Sequence, residues 1–238
     1  MYVEKVRKKN RDIDYSEYPY NIPSIAAFQE IEFTRPVTFF VGENGMGKST
    51  LIEALAVLSG FNPEGGSRNF NFHTKETHSG LYDNLILSRG YKIRKDGYFL
   101  RAESFYNVAT ELENLEDSSV LEAYGGKWLH EQSHGESFMS LLMHRFFEKG
   151  LYILDEPEAA LSPAKQLQML SRIHQLVQLD SQFIIATHSP IIMAYPDAEI
   201  YLLDESGINA VTYQDTPHYK IFKYFLNNPS GMLNELFQ

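Results

Sequence analysis

The chain has 238 residues with 31 acidic and 21 basic side chains, and its formal net charge of −10 argues against a surface that binds nucleic acid over its whole area. It contains no cysteine, which excludes disulfide bonds, thiolate zinc sites and cysteine nucleophiles. An apolar share of 43% is typical of a folded globular protein. Because neither a stretch of about 18 apolar residues nor a secretory signal is visible, we expect a cytoplasmic location without a membrane span.

The first predicted elements are two strands and a helix around a glycine-rich loop. Residues 22–41 predict two strands separated by a turn at Arg35-Pro36, and the second, VTFFV, is the continuous apolar run of a strand buried on both faces. The loop GENGMGKST, residues 42–50, follows this strand directly. The leucine spacing after the loop predicts a helix that stops at Gly60.

The middle of the chain has a weaker pattern. Residues 84–108 predict two or three short antiparallel strands with turns next to Gly90 and Gly97, and residues 109–125 predict a helix. Basic side chains interleaved with aromatic ones make this segment a candidate nucleic-acid face, although such hairpins are more often simply solvated. These side chains are Arg89, Lys92, Arg94, Lys95 and Arg101.

The second half of the chain alternates helices with strands. Helices are predicted at 137–150, 163–179 and 218–237, the last broken at Pro229, and buried strands at 151–155, 181–190 and 198–205. This alternation predicts an α/β fold with a mostly parallel sheet covered by helices on both faces. We expect one domain over residues 1–238, with a core at 20–60 and 150–215, an inserted β and helical lobe at about 61–149, and C-terminal helices at 217–238.

A phosphate-binding motif lies between the predicted strand and helix. Gly42–Ser49 fits G-x-x-x-x-G-K-[ST], in which glycines let backbone N–H groups surround a polyphosphate at a helix N-terminus. Lys48 would reach the β- and γ-phosphates of ATP, Ser49 would ligate Mg²⁺, and Thr50 would bond the α-phosphate. The residues expected to bind the nucleotide are Asn44, Gly45, Gly47, Lys48, Ser49 and Thr50.

Three more candidate site residues follow buried strands. Asp155 and Glu156 come at the end of one strand, where Asp155 would hold Mg²⁺ and Glu156 would orient or deprotonate the attacking water. His188 ends the next strand, where it would contact the γ-phosphate and the water. The alternatives are two solvated acids at a strand end and a histidine that only precedes a helix start at Ser189-Pro190.

Residues 130–134, HEQSH, offer a competing interpretation. They match H-E-x-x-H, in which His130 and His134 would bind zinc from one helix and Glu131 would act as the general base. We do not favour it, because the following residues predict a helix that starts only at about Ser137, and glycines nearby indicate a loop.

Taken in order, these motifs resemble those of the ABC-type ATPases, most closely the soluble SMC/RecF-like branch and the stand-alone AAA-family ATPases related to it. GENGMGKST is similar to the Walker A motif, SHGES to the ABC signature, ILDEP to Walker B, EAALSP to the D-loop and ATHSP to the H-switch.

The resemblance implies a P-loop NTPase fold, in which the mostly parallel sheet is joined by an antiparallel β portion and an inserted helical lobe carries the signature. It implies Mg²⁺-dependent ATP hydrolysis, with Glu156, His188 and Lys48 as catalytic residues and Ser49 and Asp155 at the metal. Ser133 and Gly135 would bind the γ-phosphate held by another subunit, which implies a head-to-tail homodimer formed on ATP binding.

Several positions depart from the pattern of this family. No glutamine lies between Gln29 and Gln132, so the expected Q-loop glutamine is missing, and Glu103 is the candidate for its place facing Mg²⁺. Ser162 stands where the family usually has the D-loop aspartate. Tyr20 is a candidate platform for adenine.

Three functions remain open from the sequence. The main expectation is a soluble ATPase whose closing dimer acts on DNA, in maintenance or defence, or on a partner effector protein. The alternative is the ATP-binding subunit of a membrane transporter, against which the atypical signature and the missing glutamine count. A zinc peptidase acting through HEQSH is a remote alternative.

Overall fold

The computed structural model describes residues 1–9, 13–67, 79–102 and 133–238. The strands in these ranges are β1 (Val3–Lys8), β2 (Glu30–Glu32), β3 (Val37–Gly42), β4 (Gly66–Ser67), β5 (Leu85–Arg89), β6 (Asp96–Arg101), β7 (Gly150–Asp155), β8 (Gln182–Ala186), β9 (Glu199–Asp204) and β10 (Gly207–Ala210). The α-helices are α1 (Pro23–Ala27), α2 (Lys48–Leu58), α3 (His134–His144), α4 (Pro163–Gln178), α5 (Pro217–Asn227) and α6 (Pro229–Leu236).

A seven-stranded sheet forms the centre of the molecule, in the order β10-β9-β3-β8-β7-β6-β4. Its five inner strands run parallel to one another, and the short edge strands β10 and β4 are antiparallel to their neighbours. Parallel neighbours bring the carboxyl ends of β3, β6, β7 and β8 to one edge of the sheet, which is where ligands bind in open α/β sheets. The predicted α/β fold class with a mostly parallel sheet and an antiparallel portion is confirmed.

The sheet is buried on both faces because its strands alternate their apolar side chains between two cores. Phe39 of β3 packs in the core that includes Leu141 of α3 and Ile173 of α4, whereas the adjacent Phe40 packs in the core that includes Leu51 of α2. Both phenylalanines have 0% of their surface exposed. Each such burial contributes about 1.5–3 kcal/mol, so the run VTFFV strongly favours this strand and places the phosphate loop at its end.

A second, three-stranded antiparallel sheet has the order β2-β1-β5. The two strands predicted over 22–41 are present as β2 and β3, with a bend at Arg35-Pro36 between them. The first strand is shorter than predicted, because Pro23–Ala27 form the short helix α1, with the proline in its first turn.

The short strands predicted over residues 84–108 do not form an antiparallel hairpin with each other. β5 pairs with β1 in the small sheet, whereas β6 runs parallel to β7 in the large one. The Asp96–Gly97 pair is therefore the start of a strand and not a turn, and the residues between β5 and β6 cross from one sheet to the other.

Helix α3 begins at His134, about one turn before the predicted start at Ser137. Ser133 and Glu136 form a reciprocal capping box, in which the Ser133 backbone N–H donates to Glu136 Oε2 at 3.0 Å. The S-x-x-E spacing explains the earlier start. His130 and Glu131 of the zinc interpretation lie outside the described residues, as does the helix predicted at 109–125.

The C-terminal helices α5 and α6 meet at Asn228, whose side chain accepts a hydrogen bond from the Gly231 N–H at 3.0 Å. The predicted break at Pro229 is thus confirmed, since this proline opens α6. Neither helix buries a residue, although apolar side chains recur along both.

Candidate functional site

The loop after β3 is shaped by three glycines with positive φ angles. Gly42, Gly45 and Gly47 have φ of 151°, 81° and 85°, a region that side chains disfavour. At Gly42 a methyl group would also collide with the carbonyl oxygen of Leu203 on β9. The loop therefore requires glycine here for its path from strand to helix, and it leaves the N-terminus of α2 open to an anion.

Lys48 is the first residue of α2, and its side chain turns back into the loop. Its Nζ donates to the carbonyl oxygens of Gly42 at 2.9 Å and Glu43 at 3.0 Å, and only 4% of the residue is exposed. Burial lowers the pKa of Lys48, while the carboxylates of Glu156 and Asp155 act in the opposite direction. A buried cation held at the mouth of a glycine loop is suited to a phosphate group.

Ser49 and Asp155 lie together beside the loop. The Ser49 hydroxyl donates to Asp155 Oδ1 at 3.1 Å, and Asp155 is 6% exposed. A hydroxyl and a carboxylate are hard oxygen ligands of the kind that Mg²⁺ takes, together with waters and substrate phosphates. No group of three or more side chains suited to hold a metal by themselves occurs in the described residues. The pair fits Mg²⁺ that shares its ligands with a bound phosphate.

Glu156 and His188 face each other across the same edge. β7 and β8 are parallel neighbours with Asp155 opposite Ala186, which brings the residues after both strands together. Glu156 adopts the left-handed conformation at φ 50° and ψ 51°, and its Oε1 lies 3.4 Å from His188 Nε2.

The backbone of His188 is held by Glu158, the first residue of the motif EAALSP that resembles the D-loop. Its Oε1 accepts the backbone N–H of His188 at 2.5 Å. Burial raises the pKa of the Glu158 carboxyl, and the hydrogen bond from His188 partly offsets this rise. Glu158 therefore fixes where the H-switch loop begins.

Arg101 lies at the carboxyl end of β6, opposite Asp155 in the strand register. Its Nη1 is 3.0 Å from Glu53 Oε2 and its Nε is 3.9 Å from Asp155 Oδ2. The sequence predicts Arg101 on a nucleic-acid face and Glu103 at the metal, and Glu103 lies outside the described residues. The position of Arg101 at a strand end next to the acidic one was the signal that could have found it.

Three of the four other basic residues of that candidate face make contacts within the chain. Arg89 donates to the carbonyl oxygen of Leu58 at 2.9 Å, and Lys92 forms an ion pair with Asp180 at 2.7 Å. Arg94 contacts the ring of Phe61. Because these cations are used within the chain, the nucleic-acid face stays a prediction without support from the contacts.

Ser133 and Gly135 of the signature lie at the start of α3, apart from the phosphate loop. Gly135 is buried against the turn after β7, where a methyl group would come within 2.7 Å of the Ala160 carbonyl oxygen. Among the described residues, no hydrogen bond or ion pair joins Ser133 or Gly135 to residues 42–50. Within one chain the signature glycine is therefore next to the D-loop, and no hydrogen bond or ion pair in the described part of the chain joins Ser133 or Gly135 to the phosphate loop.

Two tyrosines lie near the start of the site. The Tyr18 hydroxyl is 3.2 Å from Thr50 Oγ1, and 62% of Tyr18 is exposed. The Tyr20 hydroxyl instead donates to the Gly80 carbonyl oxygen at 3.2 Å. Tyr18, which was not predicted as a site residue, is thus an aromatic side chain beside the loop.

A glycine loop between a strand and a helix, a buried lysine inside it and a serine–aspartate pair beside it define a P-loop nucleotide-binding protein. The family model described as AAA domain matches residues 21–189, which is most of the chain. The chain belongs to this family.

The chain is also similar to individual proteins of the ABC type. It is 27% identical over 200 residues, covering 74% of each chain, to an uncharacterized ABC transporter ATP-binding protein of Haemophilus influenzae. Its fold is similar to that of cbiO1 from Clostridium perfringens, part of an ABC transporter complex, at TM-score 0.52 and 18% identity, with 98% of this chain and 99% of the other covered.

An SMC head bound to the C-terminal winged-helix domain of ScpA has a similar fold at TM-score 0.50 and 16% identity, covering 89% of this chain and 98% of the other. The expected resemblance to ABC-type P-loop ATPases is confirmed, and the fold is similar to those of an ABC transporter component and an SMC head. None of the helices in the described ranges is long and apolar enough to span a bilayer.

Proposed function

We propose that the protein binds and hydrolyses Mg²⁺–ATP as the ATP-binding subunit of an ABC-type assembly. The observation that carries this proposal is the convergence of Lys48, Ser49, Asp155, Glu156 and His188 at one edge of the parallel sheet. Family membership and the similarity to an ABC ATP-binding protein support the same reading.

The proposed division of labour follows from the contacts. The loop amides and the N-terminus of α2 bind the phosphates, and Lys48 exchanges its carbonyl partners for phosphate oxygens. Ser49 and Asp155 hold Mg²⁺, which when bound neutralises charge on the phosphates. Glu156 orients the attacking water and accepts its proton, and His188 donates a hydrogen bond to the γ-phosphate.

Completion of the site needs a second copy of the chain. Within one chain Gly135 lies against the D-loop turn, and among the described residues neither Ser133 nor Gly135 forms a hydrogen bond or ion pair with residues 42–50. In a head-to-tail dimer the capped N-terminus of α3 would face the γ-phosphate bound by the partner, since a helix N-terminus favours an anion. We therefore propose a homodimer that forms on ATP binding.

Measuring phosphate release from Mg²⁺–ATP tests the proposed hydrolysis and the role of Glu156 in it. Replacing Glu156 by Gln keeps the shape of the side chain and removes the base, so we expect turnover to fall by about 10²–10⁴-fold. Glu205→Gln, an exposed acid in the turn between β9 and β10, is the matched control and should retain wild-type turnover. Equal turnover of Glu156→Gln and wild type would contradict the role given to Glu156.

For the process that hydrolysis drives, the similarity to a transporter ATP-binding protein favours transport over the action on DNA that the sequence analysis put first. The contacts of Arg89 and Lys92 within the chain point the same way. We propose a docked subunit of a membrane transporter.

Sedimentation of the tagged protein with membranes tests this coupling. We expect the protein to sediment with membranes prepared from its own cells and to be released when those membranes are treated with protease. Duplex DNA should leave its ATP turnover unchanged. Stimulation by DNA together with a failure to sediment would favour the soluble ATPase instead.

A further inference from the structure

His188 is in contact with a second histidine that no motif of the chain includes. The Nδ1 atom of His188 lies 3.1 Å from Nε2 of His218, which is in the first turn of α5. The other ring nitrogen of His188, Nε2, faces Glu156 at 3.4 Å. The three side chains therefore form a row that ends at the carboxylate proposed to act on water.

The first turn of α5 is fixed against the loop that carries His188. Thr216 is fully buried, caps α5 by accepting the Tyr219 N–H at 3.2 Å, and donates to the Tyr213 carbonyl oxygen at 2.8 Å. The Tyr213 hydroxyl donates in turn to the Pro190 carbonyl oxygen at 2.8 Å. His218 is thus placed by anchored backbone, although the rest of α5 is exposed.

Two arrangements of protons satisfy the contact between the imidazoles, since a hydrogen bond between them needs one proton. If His188 donates from Nδ1, its Nε2 carries a lone pair that faces the Glu156 carboxylate, which is repulsive. If His218 donates from Nε2, then His188 carries its proton on Nε2 and donates toward Glu156. The second arrangement is the favourable one.

The far side of His218 supports the same assignment. Its Nδ1 and the Nε2 of His188 are both buried, and neither has a hydrogen-bond partner within the described residues. One of these two outer nitrogens must carry a proton, and only His188 Nε2 has a carboxylate nearby, Glu156 at 3.4 Å, so Nδ1 of His218 is the nitrogen without a proton. Burial, and then the neighbouring His188 and Lys48, lower the pKa of His218, with Glu43 opposing them. A neutral His218 with its proton on Nε2 follows.

We propose that His218 is a positioning residue that holds His188 in the tautomer protonated at Nε2. In that tautomer His188 presents a hydrogen-bond donor on the side of Glu156, where the γ-phosphate is expected. The catalytic consequence rests on the proposed ATP hydrolysis, whereas the tautomer itself does not.

Nitrogen NMR of histidine-labelled protein without nucleotide at pH 7.5 tests the tautomer. We expect His188, assigned by its loss in His188→Gln, to have a protonated Nε2 and an unprotonated Nδ1 in the wild type. His218→Leu should shift His188 toward a mixture of its two tautomers. His218→Gln, whose amide can donate a hydrogen bond from a similar position, should keep His188 in the tautomer protonated at Nε2. A wild-type His188 protonated at Nδ1 would overturn the inference, whatever the protein does with ATP.

Steady-state kinetics of the same variants test the consequence. We expect His218→Leu to lower kcat by about tenfold, as for other lost orienting partners of a histidine, with KM for ATP changed by less than about twofold. His218→Gln should recover most of kcat, and the control His174→Leu, which removes a histidine that contacts Tyr195 outside the site, should match the wild type. A kcat that is as low in His218→Gln as in His218→Leu, or that equals the wild-type value in both, would contradict the positioning role.

Discussion

Arg101 is the side chain that most changes the expected electrostatics of the metal site. Its guanidinium lies 3.9 Å from the carboxylate proposed to hold Mg²⁺, and it is shared with Glu53. A fixed cation at this distance opposes the approach of a second one, even after screening by water.

We therefore predict that Arg101→Gln lowers the free Mg²⁺ concentration needed for half-maximal ATP hydrolysis, by about three- to tenfold. Titration of Mg²⁺ at saturating ATP measures this change. Arg94→Gln, which removes a guanidinium that packs on Phe61, serves as the control and should not shift the curve. An increased Mg²⁺ requirement in Arg101→Gln would mean that the arginine helps to assemble the site.

Residues within one motif could be predicted from the sequence, whereas residues brought in from elsewhere could not. The spacing of the phosphate loop predicts the roles of Lys48 and Ser49 directly, because the motif itself indicates which residue contacts the phosphates and which one binds Mg²⁺. Arg101 and His218 reach the same edge through the sheet order and the docking of α5. The position of Arg101 at a strand end is visible in the sequence, but the pairing of that strand with β7 is not. Nothing near His218 in sequence predicts its contact with His188.

At the level of elements, a buried polar cluster joins the start of β6 to the end of α3. Asp96 accepts from Arg145 at 2.9 Å and from the Tyr152 hydroxyl at 2.7 Å. Burial alone would raise the pKa of Asp96, but the charge of Arg145 and these hydrogen bonds outweigh it, so the pKa is lowered. The cluster thus contributes stability only while Asp96 is ionised.

We predict that Asp96→Asn lowers the free energy of unfolding at pH 7 by about 2–3 kcal/mol, because it leaves Arg145 partly buried without its charge partner. The contribution is present above the ordinary Asp pKa of 3.8 and is lost as pH falls through the lowered folded value. Urea unfolding of both proteins at several pH values measures it. The exposed Asp215→Asn is the control, and an equal loss there would argue against the cluster.

Element types could be predicted where the apolar pattern was continuous, as in β3, β7 and β8. A short continuous run of apolar residues is typical of a parallel strand that is buried on both faces. The pattern failed over 84–101, where two neighbouring strands belong to different sheets. Turn residues indicate where a strand ends, but they do not indicate which strand lies beside it in the sheet. Partner choice depends on cores formed by distant segments.

At the scale of the whole molecule, the parallel sheet was predictable from the alternation of strands and helices, whereas its strand order was not. β3 lies between β8 and β9, so the phosphate loop and the H-switch are adjacent although about 140 residues separate them along the chain. Gly135 of the signature packs against the D-loop turn, and neither it nor Ser133 is hydrogen-bonded to the phosphate loop in the described part of the chain, which is consistent with the proposal that a second copy completes the site.

Mixing two inactive variants tests most directly whether ATP is hydrolysed between two copies of the chain. Lys48→Ala removes the phosphate ligand of its own copy, and Ser133→Arg blocks the signature offered to the partner, so each alone should be inactive. In a head-to-tail dimer of one copy of each, one of the two sites keeps both an intact loop and an intact signature. We predict that an equal mixture recovers about a quarter of wild-type phosphate release, since about half of the dimers are mixed. A mixture as inactive as its components, or full activity of Ser133→Arg alone, would contradict a site shared between two chains.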